Sequence, residues 1–125
     1  MNSDKTAGLL AAHLFLARDL AHRAHLRTAG PGSFAAHDAL GDFYEGVIGL
    51  ADEFVEQYQG EYETLLDIPL LDNEYEGEIR DVLNQIKAWI QDNRREVTDD
   101  TSLQNTLDEV VKLFQHTNFK LLFLE

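Results

Sequence analysis

Hydrophobic residues along the chain recur at steps of three and four, and they do so in four separate stretches. In the first, from about Asp4 to Arg27, the apolar positions are Leu9, Leu10, Leu14, Ala17, Leu20, Ala21 and Ala24. It ends at Thr28-Ala29-Gly30-Pro31-Gly32, a run that cannot continue a helix. The second opens at Ser33, an N-cap residue type, and carries Phe34, Leu40, Phe43, Tyr44, Val47, Ile48, Ala51 and Val55 before weakening near Gly60. The third is predicted over Asp72 to Arg95, with Ile79, Val82, Leu83, Ile86, Trp89 and Ile90 as its apolar stripe. The fourth starts at Thr101 or Ser102, where Thr101 and Gln104 have the spacing of a capping box. Leu103, Leu107, Val110, Phe114, Thr117, Leu121 and Leu124 then alternate steps of four and three, the seam of a bundle.

These elements predict an all-α fold, an antiparallel four-helix bundle, with residues 1–125 as a single domain. The short links between helices one and two, and three and four, imply antiparallel neighbours. Residues 60–71 form a longer connector between helices two and three. Leu65, Leu66, Ile68, Leu70 and Leu71 make it too apolar for a free loop, so it is expected to pack on the bundle or on a neighbouring subunit. One long connection is the ferritin-like arrangement.

Charge changes the picture. The net charge is −13, and it is uneven. Residues 1–37 carry two acids and four bases, whereas residues 38–81 carry fourteen acids and one base, Arg80. Such a field disfavours non-specific nucleic-acid binding and attracts cations or a basic protein partner. Arg18, Arg23 and Arg27 recur on the first helix; they either pair with acids of the second helix or offer a small basic face. With no cysteine, disulfides and thiolate metal sites are excluded. No apolar run has the length of a membrane span, and the polar start at Met1–Thr6 has no signal-peptide pattern, so a cytoplasmic protein is expected.

Any metal must therefore be held by His, Asp and Glu. His25 closes the first helix, and His37 lies in the first turns of the second. Asp52 and Glu56 follow on the second helix at an i, i+4 step, which puts both carboxylates on one face. Imidazole with carboxylate suits iron, zinc or manganese. His37 and Asp52 are about four helical turns apart, more than ~20 Å along the axis, so one chain cannot close such a site. Two chains across a two-fold axis can, and symmetry then makes two identical sites. His13, His22 and His116 read as structural histidines, and Trp89 as core.

The stretch from His25 to His37, HLRTAGPGSFAAH, resembles the turn between the first two helices of Dps-like mini-ferritins, and Asp52 and Glu56 fall where that family places its other two ligands. The resemblance implies an inter-subunit iron-oxidising site and a cage of twelve subunits. His25 and His37 would come from one subunit, Asp52 and the bridging Glu56 from its two-fold mate. It also aligns His22 with a histidine often seen one turn before the first ligand. The chain has Leu26 where the family usually has Trp, and no long basic tail that would bind DNA. Compact variants of this kind are expected among bacteriophage-encoded relatives. The resemblance thus implies ferrous iron binding, its oxidation and its storage. The competing expectation is a non-enzymatic protein on the same bundle, whose acidic surface binds a basic host partner.

Overall fold

The computed structural model describes residues 2–125 and leaves Met1, the first residue of the predicted polar start, outside the description. It contains four helices: α1 (Asn2–Leu26), α2 (Ser33–Tyr62), α3 (Ile79–Val97) and α4 (Thr101–Phe123). α1 packs on α2 and α3, and α4 packs on the same two, so α1 and α4 sit diagonally, as do α2 and α3. The Tyr58 hydroxyl donates to Asp4 at 2.7 Å, which puts the end of α2 beside the start of α1. Arg80 and Asn84 donate to Asn118 Oδ1 at 3.3 and 3.0 Å, which puts the start of α3 beside the end of α4. Gln57 donates to Ser102 Oγ at 2.7 Å, which puts the end of α2 beside the start of α4, so all four contacting helix pairs are antiparallel. The two diagonal helices α2 and α3 run parallel, and this requires one connection along the bundle.

Residues 63–78 make that crossing without helix or strand. At about 3.3 Å per residue they reach ~50 Å, enough for the length of the bundle. The connector lies over α1. It comes so close that a Cβ on Gly8 would run into the backbone carbonyl of Asp67, so this helical position excludes every side chain. The expectation that the apolar connector packs on the bundle holds for Leu66, which lies against the core, whereas Leu65 and Leu70 stay exposed; Tyr75, in the stretch expected to be helical, also lies against the core.

The core has the predicted stripes. Leu10, Leu14, Ala17 and Ala21 of α1 meet Leu40, Phe43, Val47 and Ala51 of α2. Val82, Leu83, Ile86 and Ile90 of α3 and Leu103, Leu107, Val110 and Phe114 of α4 complete it. Phe43 and Phe114 meet edge to face at 4.9 Å, a favoured aromatic geometry.

Four boundaries differ from expectation. α3 starts at Ile79, not Asp72, because residues 72–78 are needed to finish the crossing and Gly77 takes φ 113°. α2 runs past Gly60 to Tyr62, where Glu63 closes it in the left-handed region. Gly32, with φ 79°, takes the N-cap position of α2 in place of Ser33. Asp100, not Thr101, caps α4 by accepting from the Leu103 N–H at 2.9 Å. Gln104, freed from that role, donates instead to the carbonyls of Arg94 and Thr98. Phe34 and Leu124, expected in the apolar stripes, are exposed at the helix ends. No helix among the described residues is long and apolar enough to cross a membrane.

Candidate metal centre

The α1–α2 turn reverses the chain between His25 and His37. Gly30 and Gly32 make this possible with φ of 90° and 79°, values that L side chains rarely adopt. The two imidazoles end face to face, with centroids 3.7 Å apart and planes 20° from parallel.

Each ring is fixed by the backbone of the other residue. His25 Nδ1 lies 2.6 Å from the His37 carbonyl oxygen, and His37 Nδ1 lies 2.9 Å from the His25 carbonyl oxygen. A carbonyl oxygen only accepts, so both Nδ1 atoms carry the proton. In the neutral rings both Nε2 atoms then carry the lone pair. Thr28 completes the lock. Its hydroxyl donates to the His25 carbonyl at 3.0 Å, and its oxygen lies 3.1 Å from His37 Nδ1. A histidine whose Nδ1–H is held by a carbonyl is the usual arrangement of a metal-ligating imidazole, because it sets the tautomer and the ring orientation.

Two further rings flank the pair. Tyr44 of α2 stacks on His22 at 4.1 Å and meets His25 edge-on at 5.3 Å. Gly41 leaves room for His25, since a Cβ there would sit 3.2 Å from its Cε1. The sequence reading missed Thr28, Gly41 and Tyr44. Their signal was present: His37, Gly41 and Tyr44 fall at steps of four and three, on one face of α2.

Asp52 and Glu56 are exposed on the distal half of α2, about 22 Å or more along the helix from His37. The fold thus brings together His25 and His37 and leaves both carboxylates apart. Among the described residues no group of three or more His, Asp or Glu side chains converges to hold a metal. Within one chain the site is an imidazole pair; carboxylates from elsewhere would complete the imidazole–carboxylate set that suits iron, zinc or manganese.

The other histidines differ. His13 is 8% exposed, stacks on Trp89 at 3.9 Å and donates from Nδ1 to the Leu9 carbonyl at 2.8 Å. Burial pushes its pKa below the ordinary 6.5. It serves as core, with Trp89 as its partner. His116 is exposed on α4.

Among the described residues no first-helix arginine forms an ion pair with α2. Arg23 binds Asp19 on its own helix at 2.8 Å. Arg18 has its Nε buried without any hydrogen-bond partner.

No curated protein and no solved structure matches the chain. Residues 25–121, a span that opens on the first histidine of the pair, match a family of unknown function (DUF5856), and the chain belongs to that family.

Proposed function

We propose that this protein binds ferrous iron at sites shared between two copies of the chain, oxidises it with peroxide or oxygen, and stores the product in a closed oligomer, up to a twelve-subunit cage. The observation that carries this reading is the reciprocal lock of His25 and His37, which engages Nδ1 of both imidazoles on the backbone and leaves Nε2 of each to face a metal. In this reading Asp52 and Glu56, both exposed, supply the hard oxygen donors from the two-fold mate, and the resemblance gives Glu56 the bridging role. The resemblance of the turn to that of Dps-like mini-ferritins points the same way.

Iron is here the substrate. Two ferrous ions each give one electron to a peroxide, which takes up two protons and leaves as two waters. The protein's residues hold and orient the ions, and the acidic surface of residues 38–81 concentrates cations near them. No side chain need act as acid or base.

The test is ferrous oxidation followed by absorbance, with His25→Ala and His37→Ala beside the wild type and the bound metal measured on each. Wild-type oxidation faster than both variants is expected. Equal rates in all three proteins would end the reading.

A further inference from the structure

The connector shows solvent a side that the bundle does not use. It is pinned at several points. The Asp67 carbonyl lies against Gly8, the Leu66 N–H donates to Gln59 Oε1 at 2.9 Å, and Tyr75 meets His13 edge-on at 6.3 Å. With Leu66 and Tyr75 turned onto the core, Leu65 is left 84% and Leu70 100% exposed. Single exposed leucines are common on protein surfaces. These two differ, because each borders a hollow between the connector and α1. Leu65 and Leu9 line one of about 600 Å³, and Leu70 and Phe15 line another of about 240 Å³. Ile68 and Pro69 line both, so the two hollows open side by side.

Charge frames this apolar strip. Residues 61–78 carry seven acids, from Glu61 to Glu78, and no base. All seven are exposed, and none takes part in an ion pair among the described residues. On the α1 side the hollows add Asp4 and Asp19 against one base, Lys5. An apolar centre inside a polar rim is the anatomy of a protein-docking surface.

The sign of the rim selects the occupant. Two connectors laid against each other would bring together seven acids from each copy without a base from either. Anionic lipid and nucleic acid are repelled by the same field. A protein segment that interleaves apolar side chains with Lys and Arg satisfies both parts of the surface. Its apolar side chains enter the hollows and its bases meet the rim. The pinned connector also spares the complex the ordering cost that a free loop would add on binding.

We infer that the face formed by the connector and α1 docks a basic, amphipathic segment of another protein, with Leu65 and Leu70 as apolar anchors and the acids of residues 61–78 as the rim. The docking needs neither a metal nor a second copy, so it stands apart from the iron reading.

The experiment pans a displayed library of random short peptides against the whole protein, then measures the dissociation constant of one selected peptide by fluorescence anisotropy. We expect the selected peptides to interleave Lys and Arg with Leu, Ile or Phe. Leu65→Ser and Leu70→Ser together are expected to weaken binding about tenfold or more. Both side chains are exposed, so the fold is kept, and circular dichroism checks it. Asp72→Asn, Glu74→Gln and Glu76→Gln together are expected to weaken binding about fivefold. Asp92→Asn, Glu96→Gln and Asp99→Asn remove the same charge from exposed positions on α3 and the turn after it, and are expected to stay within about twofold of wild type. An empty selection, selected peptides without bases, or equal binding to the double leucine variant would overturn the docking face. Equal losses from the two sets of acid changes would overturn it too, since net charge alone would then attract the peptide. Sedimentation of the protein by itself supplies the last outcome: self-association abolished by the leucine changes would give the face to a second copy and overturn the choice of partner.

Discussion

The two short turns of the bundle are built with the same kind of bond and end in different chemical states. At the α3–α4 turn, Arg94 donates from Nε to Gln104 Oε1 at 2.8 Å. Its terminal nitrogens donate to the Gln104 carbonyl at 2.9 Å, to Asp108 at 2.6 Å and to Gln91 at 3.3 Å. Gln104 returns two bonds, to the carbonyls of Arg94 and Thr98. The Thr98 hydroxyl accepts the Asp100 N–H at 2.9 Å and bonds Tyr62. Every nitrogen of the Arg94 guanidinium and of the Gln104 amide is used inside the turn. At the α1–α2 turn, His25 and His37 use one nitrogen each on the backbone and keep the other. Side-chain bonds to backbone carbonyls therefore do not separate a staple from a site. The unused donor or acceptor does.

The largest effect that tests this contrast is on metal affinity. His37→Ala is expected to weaken binding of cobalt(II), used as a spectroscopic probe, by on the order of a hundredfold or more, since losing a supporting partner alone typically costs 10–100-fold. Arg94→Ala is expected to leave that affinity within about twofold of wild type. Equal losses in the two variants would erase the distinction between the turns.

Stability runs the other way. Arg94→Ala deletes the bonds that tie α3 to α4 and leaves the Gln104 carbonyl short of a donor. Arg94 is 15% exposed, whereas Asp108 is 60% exposed, so the ion pair itself adds little and the Gln104 bonds carry most of the effect. About 2–3 kcal/mol of unfolding free energy is expected to go, read from urea denaturation in chelator. The same measurement on Thr28→Val, which removes the hydroxyl that bridges His25 and His37, is expected to cost about 1 kcal/mol. A larger loss at Thr28 than at Arg94 would mean that the histidine turn is the structural one.

The sequence made the bundle readable because four stripes at helical spacing leave few other ways to bury them. Leu103, Leu107, Val110 and Phe114 were placed by period alone, and all four are buried. Helix ends were less readable because several residues compete to cap. Ser33 has the right chemistry for an N-cap, but the turn needs left-handed backbone and Gly32 takes the place. Thr101 lost to Asp100, whose carboxylate reaches Leu103 N–H. The start of α3 was misplaced because residues 72–78 are set by the distance the connector must travel, and no local pattern records that distance. At the candidate site, the pairing of His25 with His37 followed from a tight turn between them. The reciprocal Nδ1 bonds did not, since they depend on φ at Gly30 and Gly32 and on room left at Gly41.

The smallest effect concerns the cap of the staple turn and separates it from the histidine turn by pH. The Leu103 N–H beside Asp100, with Ser102 next to it, holds the Asp100 carboxyl below its ordinary 3.8. A depressed carboxylate pKa stabilises the fold fully above the unfolded value and loses that stabilisation as pH falls through the lower folded value. Asn caps a helix about as well as Asp but carries no charge. Wild type is therefore expected to exceed Asp100→Asn slightly in urea midpoint above about pH 4, and the difference is expected to vanish as pH falls through the lowered folded value and the carboxyl is protonated in both states. The comparison within one pair of proteins cancels the other carboxylates, which titrate equally in both. A difference that persists at low pH would assign the cap to hydrogen bonding alone, and the α3–α4 turn would then hold as a neutral staple rather than a charged one.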